Sequence, residues 1–329
     1  MREMIVASAP GKVVLCGEYA VLDGAPAICM AINRRAVASL LPSRGKTNRV
    51  VAPGYAKIEG EFLSHPDGIE WLQGKDEFEI VDAVWRVARG QTEEACTIVL
   101  DSREFIDEST STKFGIGSSA ALTVALTLAM SAGDNKKNLS RDASRAHAVL
   151  QGGAGSGVDI ACSVKGGLID YCMQGAKASS LQWPESLAYR LLWSGVATST
   201  ATKLEVLKTG SVKPSRARLR RAAEIMAEAW RSGAADNVIA TYHDYIVALR
   251  SFSVDHDLGV FDAGHGQVAD GAIKAGLVYK PCGAGGGDVG ILFGTDETRL
   301  DAFVNKEMAA AYSLLRCDVD FSGARIEAT

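Results

Sequence analysis

Short apolar runs broken by glycine and proline open the chain. Met4 to Ser8 ends at Pro10-Gly11, and Val13 to Cys16 ends at Gly17, a pattern that predicts two strands joined by a turn. Ala27 to Ile32 and Val37 to Leu41 continue the series, connected by Gly24-Ala25-Pro26 and Asn33-Arg34-Arg35. Residues 43–75 are polar and glycine-containing, and no period assigns them. From Glu79 to Arg89 the spacing changes: Ile80, Val84, Val87 and Ala88 share one face of a helix, and Cys96 to Leu100 follows as another strand. The opening hundred residues therefore read as mainly β with one helix.

Further along, Ala121 to Ala132 is so rich in alanine and leucine that it predicts a helix buried on most sides. Ser140 is a good cap for a second helix to Gln151, stopped by Gly152-Gly153. Val158 to Val164 predicts a third, with strands at Leu168 to Cys172 and Tyr189 to Trp193. The composition changes near Pro184, and helices dominate from Pro214 onward. Ser215 is placed to cap a helix whose apolar face is Leu219, Ala222, Met226 and Ala229, ended by Gly233. The next aligns Val238, Tyr242, Tyr245, Leu249 and Phe252 at spacings of three and four, and both stripes read as core. A helix at His265 to Ala275, a strand at Gly290 to Phe293, a helix at Glu297 to Leu314 and a terminal strand complete an α+β half. No internal repeat is present.

At 329 residues the chain suits two domains or one large one, and its net charge of −4 argues against a nucleic-acid backbone as partner. The one dense basic run, Arg216 to Arg221, is interrupted by Ala217 and Leu219 and reads as the solvated face of a helix. Seven cysteines, without CxxC spacing, read as reduced and mostly buried thiols with no metal-site pattern. The N-terminal MREMIVASAPGK lacks the apolar core of a signal peptide, and the longest apolar helical stretch is too short to span a bilayer. The expectation is a cytoplasmic protein without a membrane partner.

Four segments carry candidate chemistry. KFGIGSSAALTVAL, Lys113 to Leu126, joins a glycine-serine loop to an apolar helix. Gly115 and Gly117 permit backbone geometry closed to other residues, and the first N–H groups of the helix converge where an anion belongs. The same loop serves equally as a capped helix start. APGKVVLCGEYAV places Lys12 after a Pro-Gly pair and Glu18-Tyr19 after a strand end, where charged residues either line a site or decorate an edge. KPCGAGGGDVGI, Lys280 to Ile291, holds five glycines between Gly283 and Gly290, a density that implies close approach of a ligand or another backbone, or a tight hairpin. QGGAGSGVDIACSVKGG, Gln151 to Gly167, presents Asp159 at a helix start, either as a cap or as a carboxylate beside a substrate oxygen. Phosphoryl transfer needs a carboxylate, a cation and a backbone cradle, and the three glycine-rich segments together supply all of these.

In content and order, these segments resemble the three motifs of the GHMP kinases, a family of small-molecule kinases, over essentially the full length. APGKVVLCGEYAV is similar to the first motif, KFGIGSSAALTVAL to the second with its GLGSSAA core, and KPCGAGGGDVGI to the third. The resemblance implies an N-terminal domain of the ribosomal-protein-S5-domain-2-like type, residues 1–184, binding ATP. It implies a ferredoxin-like C-terminal domain, residues 185–329, with ATP and Mg²⁺ held between the two. Within the family, GEYAVL, KFGIGSSAA, HAVLQGGAGSGVDIA and LLWSGVATSTATKL resemble bacterial-type phosphomevalonate kinases. Arg145-Ala146-His147-Ala148 stands where mevalonate kinases carry a metal-binding glutamate.

Carried over position by position, the resemblance makes Asp159 the residue that orients or deprotonates the acceptor oxygen and Lys12 the cation at the reacting groups. Lys113 would steady the phosphates. Gly115, Ile116, Gly117, Ser118, Ser119 and Ala120 would wrap the ATP phosphates, with Ser119 as the protein ligand to Mg²⁺. Glu18, Tyr19, Ser156, Gly157 and Ser199 would hold the acceptor, and Gly283, Ala284, Gly285 and Gly286 would close the site. The implied reaction is ATP-dependent conversion of 5-phosphomevalonate to 5-diphosphomevalonate in isoprenoid synthesis, by a monomer or homodimer. Its rivals are a mevalonate kinase and a catalytically silent metabolite sensor on the same fold. The pattern from Gln151 to Asp159 is not that of the diphosphomevalonate decarboxylases, which share the fold. Cys282 and Val289 depart from the third motif's usual residues, and the base-binding residues are not assigned.

Overall fold

The Pro10-Gly11 pair does not break the first strand. In the computed structural model, which describes residues 3–54, 56–65, 68–88, 95–131, 136–153, 155–209, 213–307 and 312–328, β1 (Ile5–Cys16) and β2 (Ala27–Pro42) run as long antiparallel neighbours. Their register shifts between Pro10 and Gly11, so a bulge absorbs the proline, which has no N–H to give to the ladder. A Pro-Gly pair looks the same in a turn as in a bulge, and for this reason the sequence suggests two strands where there is one.

The unassigned stretch 43–75 holds three strands, β3 (Asn48–Val51), β4 (Gly60–His65) and β5 (Gly68–Gln73). After helix α1 (Glu79–Ala88) comes β6 (Cys96–Asp101), antiparallel to β2 and parallel to β3. Farther along the chain, β7 (Leu168–Cys172) pairs with the other end of β2, and β8 (Lys177–Leu181) pairs with β7. Helices α2 (Ser118–Met130), α3 (Lys136–Leu150) and α4 (Val158–Lys165) complete this half. Against β1 and β2 packs α2, with every residue from Ala120 to Met130 buried, as its all-round apolar character requires. The helix ends expected at Arg89 and Ala132 lie outside the described residues.

The second half is an antiparallel sheet in the order β10-β11-β9-β12, formed by β9 (Ala188–Trp193), β10 (Val278–Pro281), β11 (Val289–Gly294) and β12 (Ser313–Leu315). Its helices are α5 (Thr200–Thr209), α6 (Pro214–Ser232), α7 (Ala235–Asp255), α8 (His265–Lys274) and α9 (Glu297–Glu307). Helix α6 starts one residue before Ser215: Lys213 is its cap residue and Pro214, whose missing N–H costs nothing in a first turn, opens it. Nor does the last helix reach Leu314, because Ser313 to Leu315 extend along β9; residues 308–311 lie outside the described part. Finally β13 (Arg325–Ile326) returns to pair with β1.

The basic run on α6 is only partly a solvated face, since Arg216 forms a two-pronged ion pair with Asp23 at 2.6 and 2.7 Å. Among the described residues no helix is long and apolar enough to cross a membrane. One continuous core joins the halves: Tyr242, Tyr245, Phe252 and Val260 belong to the same buried cluster as Val13, Leu15, Cys16 and Tyr19. This α+β architecture sets the ends of β1 and the starts of α2 and α4 against the β10–β11 loop.

Candidate active site

Because Gly11 must pass close to the segment before α2, β1 delivers Lys12 to the phosphate-loop candidate. A Cβ on Gly11 would lie 2.8 Å from the Ile116 carbonyl oxygen, and the Lys12 N–H donates to that same oxygen at 2.8 Å. The aliphatic stem of Lys12 then lies on Gly117, where a Cβ would meet its Cε at 2.9 Å and its Cγ at 3.0 Å. Gly117 has φ 86°, a left-handed conformation that favours glycine, and it is the cap residue of α2. The first helical bond here is Ala121 N–H to Gly117 O at 3.0 Å. The amides of Ser118, Ser119 and Ala120 thus precede the ladder and point to the open end of the helix.

Beneath this loop Lys12 Nζ meets Asp159 Oδ1 at 3.4 Å. Asp159 stands in the first turn of α4, whose cap residue Gly157 again has positive φ, and that turn brings the carboxylate up to the lysine. Burial by itself would depress the Lys12 amine, but the Asp159 carboxylate, together with the neighbouring Cys29 and Cys162, holds its pKa above the ordinary lysine value. Lys12 is consequently a fixed cation, 9 % exposed, at the floor of a cleft between the two halves.

The cleft collects half of the expected residues. Lys12, Glu18, Tyr19, Gly115, Ser156, Gly157, Asp159, Gly283 and Ala284 all border it. The Tyr19 hydroxyl donates to the Ala284 carbonyl at 2.6 Å and its ring lies 5.4 Å from that of Phe252, so the first motif touches the third directly. Ser156 accepts on its carbonyl the Tyr171 hydroxyl at 2.7 Å, which steadies the turn before Asp159. Glu18, expected on the acceptor, has both carboxylate oxygens occupied: one by Lys280, the other by the Tyr245 hydroxyl at 2.5 Å. The engaged carboxylate makes Glu18 a structural tie between β1 and the C-terminal half.

The other nine do not border it: Ile116, Gly117, Ser118, Ser119 and Ala120 of the loop and first turn of α2, Gly285 and Gly286 of the β10–β11 loop, and Lys113 and Ser199. Lys113 is exposed on the extended segment before the loop, where it bridges to Ile106, and it does not border the cleft. Ser199 is exposed and its hydroxyl accepts from Thr202 at 3.1 Å, in the manner of a helix cap; the adjacent Thr200 borders the cleft instead. Gly285 and Gly286 pack the loop against Val260, beyond α7: the Gly286 N–H donates to Val260 O at 2.7 Å, and a Cβ on Gly285 would lie 2.6 Å from that same oxygen.

Three further residues join the site. His147, from α3, is buried and sets Nε2 3.4 Å from the Ser119 hydroxyl; burial lowers its pKa, opposed by Asp159. Asp288, in the left-handed region at φ 56°, lies against Gly115 and accepts the Thr198 N–H at 3.1 Å; burial raises its pKa, opposed by that N–H, Lys12 and Lys203. Lys203, from α5, donates to the carbonyls of Ala284 at 3.3 Å and Gly285 at 2.7 Å. All three stand inside segments that carry the motif resemblance, so position was the available signal, and their direction was not. Magnesium takes one or two protein oxygens and completes its shell with phosphates and water, and the Ser119 hydroxyl at the start of α2 is a donor of that kind.

Residues 80–167 match the family model of the GHMP kinases N terminal domain. The phosphomevalonate kinase of Streptomyces sp. (strain CL190) is 29% identical, covering 88% of this chain and 90% of that one. The mevalonate kinase of Bos taurus is 28% identical over 88% of this chain and 86% of its own. In fold, the chain is similar to Streptococcus pneumoniae phosphomevalonate kinase in complex with phosphomevalonate and AMPPNP. The TM-score is 0.78 at 18% identity, with 95% of this chain and 99% of that one covered. The two-domain fold is thus that of the GHMP kinases.

Proposed function

We propose that this chain, whose fold is that of the GHMP kinases, transfers the γ-phosphoryl group of ATP to 5-phosphomevalonate, giving 5-diphosphomevalonate and ADP. The observation that carries this reading is the Lys12–Asp159 pair at 3.4 Å on the floor of a cleft walled by two glycine loops. An oxygen of the acceptor's terminal phosphate attacks the γ-phosphorus, and the bond to the bridging β–γ oxygen breaks with its electron pair leaving on ADP. Such an oxygen is already ionised at neutral pH, so the pair acts mainly by placement. Asp159 orients the acceptor, and the Lys12 amine faces the charge carried by the transferring group. The amides of Ser118 to Ala120 take the donor phosphates, and Ser119 would hold Mg²⁺, which shields their charge. The full-length likeness to a phosphomevalonate kinase supports the choice of acceptor.

A mevalonate kinase is the second reading, favoured by the comparable coverage of the bovine relative. Incubating the protein with Mg²⁺ and ATP against mevalonate, 5-phosphomevalonate, homoserine and galactose, with ADP as readout, separates the cases. Turnover with 5-phosphomevalonate is expected. Turnover with mevalonate alone replaces the first reading by the second, and ATP binding without ADP release from any acceptor supports a sensor.

A further inference from the structure

Asp288 is held in place more firmly than a surface carboxylate. Its N–H donates to Val196 O at 2.6 Å, its carbonyl accepts the Ser194 N–H at 3.0 Å, and Oδ1 accepts the Thr198 N–H. These bonds fix the side chain against the phosphate loop: a Cβ on Gly115 would lie 2.1 Å from Asp288 Cγ and 2.4 Å from Oδ2. Oδ2 is therefore the oxygen turned to the loop. Donor phosphates seated on the amides of Ser118 to Ala120 would lie close to this carboxylate, and like charges repel unless a cation stands between them. The two lysines whose charge it feels are already engaged, Lys12 with Asp159 and Lys203 with the carbonyls of Ala284 and Gly285. Asp288 Oδ2, against Gly115, and the hydroxyl of Ser119, four residues farther along, are hard oxygens of the kind a magnesium ion shared with phosphates would use.

We propose that Asp288 is the carboxylate with which the C-terminal half holds the divalent cation accompanying the donor nucleotide, directly or through a coordinated water. The proposal rests on nucleotide binding at residues 115–120. It makes the cation a link between the two halves, because Ser119 belongs to one and Asp288 to the other. The competing role is a purely structural staple, in which the carboxylate only accepts from Thr198. Asp288→Asn separates the two, since asparagine tolerates left-handed φ and keeps an oxygen for the Thr198 N–H while losing the charge.

The experiment measures ADP binding by calorimetry, with excess Mg²⁺ and with EDTA, and Mn²⁺ binding to the ADP complex by electron paramagnetic resonance. Asp288→Asn is expected to hold Mn²⁺ on the order of ten- to a hundredfold more weakly than wild type. It is also expected to bind metal-free ADP at least as tightly, because a repulsion is gone. Asp288→Ser, folded by its melting curve, should repeat the Mn²⁺ result. Unchanged Mn²⁺ affinity in the variants overturns the proposal, and so does an equal loss of ADP affinity with and without metal, the mark of a staple. Wild-type protein that binds no ADP under either condition overturns the nucleotide reading itself, and the cation role with it.

Discussion

At the scale of single residues, the Lys12–Asp159 pair fixes what each partner is able to do. Lys12 is buried, and the carboxylate beside it is the main group that favours its charge. Asp159→Asn preserves volume and removes that charge. Turnover is expected to fall by at least about a hundredfold, the lower range for a positioned acid–base group, while ADP binding on the loop survives. A second consequence has a definite sign. Without the Asp159 charge, burial dominates and the Lys12 pKa drops below its ordinary 10.5, so the residual activity of the variant should lose its alkaline side at lower pH than wild type. A pH profile of kcat/KM checks this, and near-wild-type turnover or an unmoved alkaline limb removes Asp159 from the role.

At the scale of elements, glycines in the loops carry contacts that side chains would block. Gly115→Ala drives a methyl group into the Asp288 carboxyl, and Gly117→Ala drives one into the Lys12 stem, both at positive φ. Each is expected to cost about 1–3 kcal/mol in strain and to weaken ADP binding, measured by urea unfolding and calorimetry. Helix α8 makes a different demand on its loop. His265 is fully buried, with Nδ1 2.7 Å from the Tyr279 hydroxyl and Nε2 2.9 Å from Gly287 O, and burial pushes its pKa down to about 4. In the unfolded chain the imidazole titrates near 6.5, so between about 6.5 and 4 the unfolded state binds the extra proton. Stability attributable to this histidine is complete above pH 6.5 and is lost as pH falls toward 4, by an amount of the order of 3 kcal/mol. Urea midpoints measured across that window should fall more steeply for wild type than for His265→Gln; parallel curves would count against this account.

The same contacts explain what was legible in the sequence. The loops at Gly115, Gly157 and Gly283 stood out because glycine marks backbone approach, and the structure puts all three on one cleft. Strands β3 to β5 did not: β5 is largely exposed and keeps no alternation of buried and open positions, and β3 and β4 alternate over only four and six residues. Asp288 was hidden in plain view, since an aspartate within a glycine run reads as a turn residue and only the fold shows that it faces Gly115. The helical spacing of Tyr242 and Tyr245 marks them as core, and both are buried. That spacing is silent on their hydroxyls, which reach Leu15 O at 3.0 Å and Glu18 at 2.5 Å across more than two hundred residues of chain.

Those hydroxyls belong to the arrangement that makes two halves one molecule. Lys280 and Glu18 are an ion pair with side chains 0% and 1% exposed, and the ammonium also donates to Val14 O at 3.2 Å. Tyr245 completes the set by donating to Glu18 and accepting the Gly17 N–H at 2.9 Å. The net worth of such a pair against an apolar replacement is small, because both charges have lost their water, but removing one partner strands the other. Glu18→Gln is therefore expected to destabilise the protein by about 3–5 kcal/mol, and Lys280→Met by a similar amount, while the double variant recovers much of the loss. The recovery has a functional counterpart. Since Tyr19 follows Glu18 and bonds to Ala284 across the cleft, the single variants should also weaken acceptor binding, raising KM for the acceptor more than they lower kcat. Urea unfolding of the four proteins tests the coupling directly. If the two single losses simply add in the double variant, the buried pair does not act as one unit, and the halves are held by their shared apolar core alone.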